Sequence, residues 1–172
     1  MGTLGNGQDS SGRVGMAPQV KRVFVADDNG DMRALLEQAL ARDGYEVVGF
    51  CDGTALVDYL GDALRPHSET AVPDIIVSDI RMPGFSGMDI LAALRRADVT
   101  VPVILITGFG NEEMDAEARR LGAVGFIKKP FDVDDLRTAL RYYLEHGRTD
   151  GSRAHAEPQL RHARRTPTGL KH

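Results

Sequence analysis

Five short apolar runs, at residues 23–26, 47–50, 75–78, 103–107 and 125–127, recur along the chain with helical spacing between them. Runs of this length read as strands, and because nearly every residue in them is apolar, both faces of their sheet must be covered. The intervening segments supply the cover. Met32, Leu35, Leu36, Ala39 and Leu40 follow the i, i+3, i+4, i+7, i+8 spacing of an amphipathic helix, and Val133, Leu136, Leu140, Tyr143 and Leu144 form a similar stripe near the end. Ser86 with Asp89, Asn111 alone, and Asp132 with Asp135 stand where helix N-caps belong. The stripe behind Asn111 (Met114, Ala118, Leu121) is thinner. Strands alternating with helices, joined by right-handed crossovers, predict an α/β fold: a flavodoxin-like, doubly wound, five-stranded parallel sheet of order 2-1-3-4-5 with helices on both faces.

Composition sets the limits of that unit. Residues 1–18 hold five glycines among Ser, Asn and Gln, and residues 147–172 mix Gly, Ser, Pro, His and Arg without hydrophobic pattern. Neither can bury enough surface to offset its ordering entropy, so both read as disordered and residues 19–146 as the folded unit. That unit carries 14 Lys and Arg against 22 Asp and Glu, whereas the last 26 residues carry six against two. The acidic body argues against nonspecific nucleic-acid binding, and the tail is basic. No apolar stretch approaches the ~20 residues that span a bilayer, and no basic-led apolar segment opens the chain. A cytoplasmic protein is the expectation. The single cysteine, Cys51, excludes an internal disulfide and reads as packing, and His67 reads as solvated.

In a fold of this kind the active site lies at the carboxyl ends of the strands. Strand one ends in Asp27 and Asp28, strand three in Asp79, strand four in Thr107, and strand five runs into Lys129-Pro130. Periodicity does not bring these residues together, but the fold rule gathers the ends of strands one, three, four and five around one crevice. Three mutually repelling carboxylates there favour a hard divalent cation with oxygen ligands, Mg²⁺ above all. Each aspartate alone could equally be a helix cap or a solvated loop acid.

The segments VFVADD (23–28), IIVSDIRMPGFSG (75–87), ILITG (104–108) and FIKKPF (126–131) stand in that order on those elements. Over residues 21–145 the chain resembles the receiver domain of bacterial two-component response regulators. The resemblance implies that Asp79 accepts a phosphoryl group from a kinase phosphohistidine. It makes Asp28 the direct Mg²⁺ ligand, Asp27 its neighbour, and the backbone carbonyl of Arg81 a further ligand. It gives Thr107 and Lys129 the contacts to the phosphoryl oxygens, Phe126 the place of an aromatic switch, and the Lys129-Pro130 bond a cis geometry. The residue types suit the chemistry, since phosphoryl transfer to a carboxylate needs positioning and charge neutralisation more than covalent assistance. Arg81 and Phe109 would border the attacking water, and the connection from Gly61 to Pro73 is longer than the resemblance leads one to expect.

Only 26 residues follow His146 in this sequence, too few and too polar for a helix-turn-helix module. The expectation is therefore a stand-alone receiver, similar to chemotaxis or phosphorelay regulators. It would catalyse only its own phosphorylation and dephosphorylation and switch the surface of its fourth helix, fifth strand and fifth helix. Its partners would be a sensor histidine kinase or histidine phosphotransfer protein, an unspecified downstream protein, and a second copy through that surface when phosphorylated. No membrane and no DNA-binding domain are expected. The alternatives are a receiver belonging to a longer DNA-binding regulator or hybrid histidine kinase, a Mg²⁺-dependent phosphatase, and a degenerate receiver. The phosphatase is disfavoured because its paired aspartates normally stand as D-x-D after one strand. The degenerate receiver is disfavoured because all five site residues are present.

Overall fold

The computed structural model describes residues 19–146, so the expectations for 1–18 and 147–172 lie outside the described residues. Strands β1 (Arg22–Ala26), β2 (Glu46–Phe50), β3 (Ile75–Asp79), β4 (Val103–Thr107) and β5 (Gly125–Lys128) alternate with helices α1 (Gly30–Arg42), α2 (Gly53–Ala63), α3 (Gly87–Arg96), α4 (Glu112–Arg120) and α5 (Val133–His146). All strand pairs are parallel and the order is β2-β1-β3-β4-β5, the doubly wound, flavodoxin-like arrangement that the apolar runs predict. Each run lies within one strand, and the central strands β3 and β4 are buried at every residue.

The period-two alternation of the strands sorts the interior into two layers. Val23, Val25, Ile75, Val77, Ile104, Ile106 and Ile127 pack with Leu36 and Leu40 of α1 and Leu136 and Leu140 of α5. Phe24, Ala26, Ile76, Val103 and Leu105 pack with Leu56 and Leu60 of α2, Ile90, Leu91 and Leu94 of α3, and Ala118 of α4. Ala118 is the one fully buried residue of α4, so its predicted stripe is indeed thin.

Local chemistry fixes where the helices start. Ser86 and Asp89 form a reciprocal capping box at α3, and Asn111 accepts from the Met114 amide at α4, as their positions predict. Asp132 Oδ1 accepts from the Asp134 amide at the start of α5 (2.9 Å). Two sequence expectations fail. Leu35 is 50% exposed, because the buried line of α1 runs through Leu36 and Leu40, and a residue adjacent to Leu36 is turned ~100° from it. Cys51 is not packing. It is exposed just past the end of β2, its thiol directed at Asp52 Oδ2 (3.4 Å). The long α2–β3 connection joins the amino edge of the sheet, opposite the strand ends that carry the acidic residues, and contains His67 in the left-handed region (φ 64°).

Candidate functional site

The strand register explains why residues so far apart in sequence converge. Val25 pairs with Val77, and Ser78 with Leu105, so the ends of β1, β3 and β4 lie side by side. The ladder continues one residue past β5, where the Lys129 amide donates to the Thr107 carbonyl (2.7 Å), and Lys129-Pro130 is cis. Asp27, Asp79 and Lys129 continue the alternation of Val25, Val77 and Ile127. They therefore emerge on the α1/α5 side of the sheet. Thr107 and Phe126 continue the opposite set.

The three predicted carboxylates meet. One oxygen each from Asp27, Asp28 and Asp79 falls within 4.8 Å of the others, with Asp27 and Asp79 buried and Asp28 exposed. The Lys129 ammonium bridges the two buried acids, donating to Asp27 Oδ2 at 2.8 Å and to Asp79 Oδ2. Burial opposes its charge, but the two carboxylate hydrogen bonds outweigh that and hold its pKa above the ordinary lysine value. One ammonium against three carboxylates leaves the pocket negative. Its donors are all hard oxygens at close range, without sulfur or imidazole, which is the chemistry that suits Mg²⁺. The residues fit that ion.

The two buried carboxylates are also held by backbone amides. The Asn29 amide donates to Asp27 Oδ1 (2.9 Å), the Asp27 amide donates to Phe50 O (3.2 Å), and Arg33 Nη1 donates to Asp27 O (2.7 Å). The Arg81 amide donates to Asp79 Oδ1 (2.9 Å), which lays the Arg81 peptide against the central acid. Its guanidinium turns outward and lies 4.6 Å from the centre of the Phe109 ring, which is 72% exposed at the pocket rim. Thr107 is fully buried and its hydroxyl accepts from the Phe109 amide (3.2 Å), which leaves the hydroxyl proton to donate. Phe126 is half-buried in the layer beneath α4.

Glycines hold the surrounding space open. A Cβ on Gly110 would come within 2.6 Å of Thr107 Cγ2 and 2.9 Å of the Phe126 ring, so both side chains share the volume that Gly110 leaves. A Cβ on Gly87 would lie 2.6 Å from the Asp79 carbonyl. At Gly108 a Cβ would meet nothing within 4 Å, which keeps that side of the pocket clear. All seven residues singled out in the sequence thus lie at or beside one site. Arg33 and Gly110 were not singled out. Arg33 had one signal, a basic residue near the positive end of a helix that favours acids.

A family model described as the response regulator receiver domain matches residues 23–141. The chain belongs to that family. Among curated relatives, sporulation initiation phosphotransferase F of Bacillus subtilis (strain 168) is 29% identical over 124 residues, covering 72% of this chain and 94% of that protein. The C4-dicarboxylate transport transcriptional regulatory protein DctD of Pseudomonas aeruginosa is 38% identical, covering 72% of this chain but only 25% of its own length. This receiver therefore spans nearly all of one relative and a quarter of another. Among solved structures, the chemotaxis response regulator CheY4 of Vibrio cholerae superposes with a TM-score of 0.62 at 26% identity, covering 72% of this chain and 98% of that one. This receiver is thus a module of two-component signalling. No helix of its described residues is long and apolar enough to cross a membrane.

Proposed function

We propose that the chain is a cytoplasmic, single-domain response regulator that accepts a phosphoryl group on Asp79 and converts it into a change of the α4–β5–α5 surface. The observation that carries this reading is the meeting of Asp27, Asp28 and Asp79 within 4.8 Å around one bridging ammonium. The donor would be the phosphohistidine of a sensor histidine kinase or histidine phosphotransfer protein. A carboxylate oxygen of Asp79 attacks phosphorus, the P–N bond breaks, and the imidazole leaves with the electron pair. Arg81 orients the nucleophile through its amide. Lys129 is long enough to move from its carboxylate partners to a phosphoryl oxygen, and Thr107 offers its hydroxyl proton to another. Asp27, Asp28, Asp79 and the Arg81 carbonyl would hold Mg²⁺, which when bound supplies charge neutralisation at the equatorial oxygens.

Output would follow from the shared space at Gly110. Drawing Thr107 toward a phosphoryl oxygen vacates volume beside the Phe126 ring, and an inward Phe126 reshapes the surface for a downstream protein or a second copy. Under this reading the chain turns over no substrate other than its own acyl phosphate. The coverage of DctD supports a second reading, in which the same receiver works as the input module of a longer DNA-binding regulator or hybrid kinase. Both readings require Asp79. Incubated with Mg²⁺ and acetyl phosphate, the wild-type chain should gain one acyl phosphate by intact mass, and Asp79→Asn none. Labelling of that variant to the wild-type level would remove the proposal.

A further inference from the structure

The carboxylates of the acidic pocket stand at the end of β1, yet the group that grips the backbone between two of them belongs to α1. We propose that Arg33 is a positioning residue for the pocket, one that fixes the Asp27–Asp28 peptide so that both side chains face the same divalent ion. The inference rests on the reading of that pocket as a Mg²⁺ site.

Arg33 Nη1 donates to the Asp27 carbonyl at 2.7 Å. That carbonyl belongs to the same planar unit as the Asp28 amide, so holding it fixes the orientation from which the Asp28 side chain departs. The remaining polar groups of Asp27 are also engaged, by the Asn29 amide, the Phe50 carbonyl and Lys129. Asp28 is the exposed member of the trio, and its side chain departs from this peptide. The arginine runs against local preference, since the positive end of a helix favours acids, and Asp31 supplies one there.

The side chain is itself held in place. Its Nε lies 3.8 Å from Glu37 Oε1, and the two side chains cross the edge strand at Gly49. A Cβ at Gly49 would sit 1.7 Å from Glu37 Oε1 and 3.4 Å from Arg33 Cδ. The bare backbone of β2 is therefore the bed on which the pair rests. Arg33 is 24% exposed and lies outside both apolar layers of the core, so its covered stem packs on the edge strand rather than within them.

The sign of the effect separates positioning from simple charge. A cation beside an acidic pocket repels Mg²⁺, so removing it for its charge alone tightens binding. Loss of positioning weakens it. Arg33→Met keeps the aliphatic stem and should fold as the wild type, while Mg²⁺ affinity, titrated by NMR, falls about tenfold, the lower end for outer-shell partners of a metal site. Arg33→Lys, which keeps a donor and the charge, should recover most of that loss. In metal-free protein the Asn29 amide, bonded to Asp27 Oδ1, should shift in Arg33→Met. Mg²⁺ affinity equal to or tighter than wild type in Arg33→Met, or no recovery in Arg33→Lys, overturns the inference. If the wild type itself binds no Mg²⁺, the pocket reading fails instead, and an unmoved Asn29 amide then overturns the positioning role separately.

Discussion

Helix α2 contains two glycines whose replacement by alanine should move stability in opposite directions. Gly61 is exposed and a Cβ there would meet nothing within 4 Å. Alanine should therefore give the ordinary gain of a glycine removed from a helix, ~0.5–1 kcal/mol. Gly53, the first residue of α2, is buried against the β3–α3 connection and donates its amide to Pro83 O (3.1 Å). A Cβ there would lie 1.8 Å from the Phe85 carbonyl oxygen and 2.6 Å from its carbon, where ordinary contact begins at 3.4 Å. Those atoms are backbone, so no rotamer relieves the clash. Strain of this kind costs ~1–3 kcal/mol, which exceeds the propensity gain at a helix's first position. For a domain of this size 1 kcal/mol moves the melting temperature by roughly 3–5 °C. Thermal unfolding followed by circular dichroism should show Gly61→Ala a few degrees above wild type and Gly53→Ala about 3–15 °C below it. The clash pushes on the segment that carries Arg81, so Gly53→Ala should also disturb the Arg81 amide bonded to Asp79. If Gly53→Ala melts at or above the wild-type temperature, the close approach of α2 to that segment is wrong.

Lys129→Met should destabilise the metal-free protein by leaving Asp27 and Asp79 without their shared cation, and should bind Mg²⁺ more tightly. A smaller Mg²⁺-induced thermal shift in this variant than in wild type would contradict the pairing. Ser86→Ala should cost ~1 kcal/mol at neutral pH by breaking the α3 capping box. Hydrogen bonds from the Ser86 hydroxyl and amide hold Asp89 below the ordinary carboxylate range. A lowered folded-state pKa stabilises above the unfolded value and is lost as pH falls through the folded one, so the Ser86→Ala penalty should shrink in denaturant titrations carried from pH 7 into acid. Phe126→Ala should leave phosphate uptake by Asp79 nearly intact while removing the beryllofluoride-induced chemical-shift changes across residues 111–145. Changes of wild-type extent in that variant would exclude Phe126 as the switch.

The sheet was legible because its signal is strong and local: runs such as residues 103–106 are apolar throughout and too short for a helix, and five of them alternate with helical stripes. The clustered carboxylates were legible for a different reason, since a parallel sheet fixes which chain ends meet once strand order is known. Leu35 misled because a helical stripe read from spacing has no sharp edge, whereas the sheet beneath α1 buries only Leu36 and Leu40 fully. Cys51 misled because it directly follows an apolar strand, yet β2 is an edge strand with a largely uncovered flank. Gly110 could not be read at all, and Arg33 only as a basic residue set against the preference of its helix end. Their contributions, a grip on a backbone carbonyl and a volume left empty, depend on neighbours brought near only by the fold.

The alternation that sends Asp27, Asp79 and Lys129 to one side of the sheet and Thr107 and Phe126 to the other has a consequence for inheritance. The sheet backbone separates the two side-chain layers, and substitutions that share no partner usually combine almost additively. A change beneath α1 and α5 alters the surroundings of the acids without repacking the layer below α3 and α4, and the converse holds. Lineages carrying this domain can therefore drift on one face while the other stays fixed. Epistasis should concentrate at the strand ends, where the Lys129 amide donates to the Thr107 carbonyl and so joins residues whose side chains lie on opposite faces.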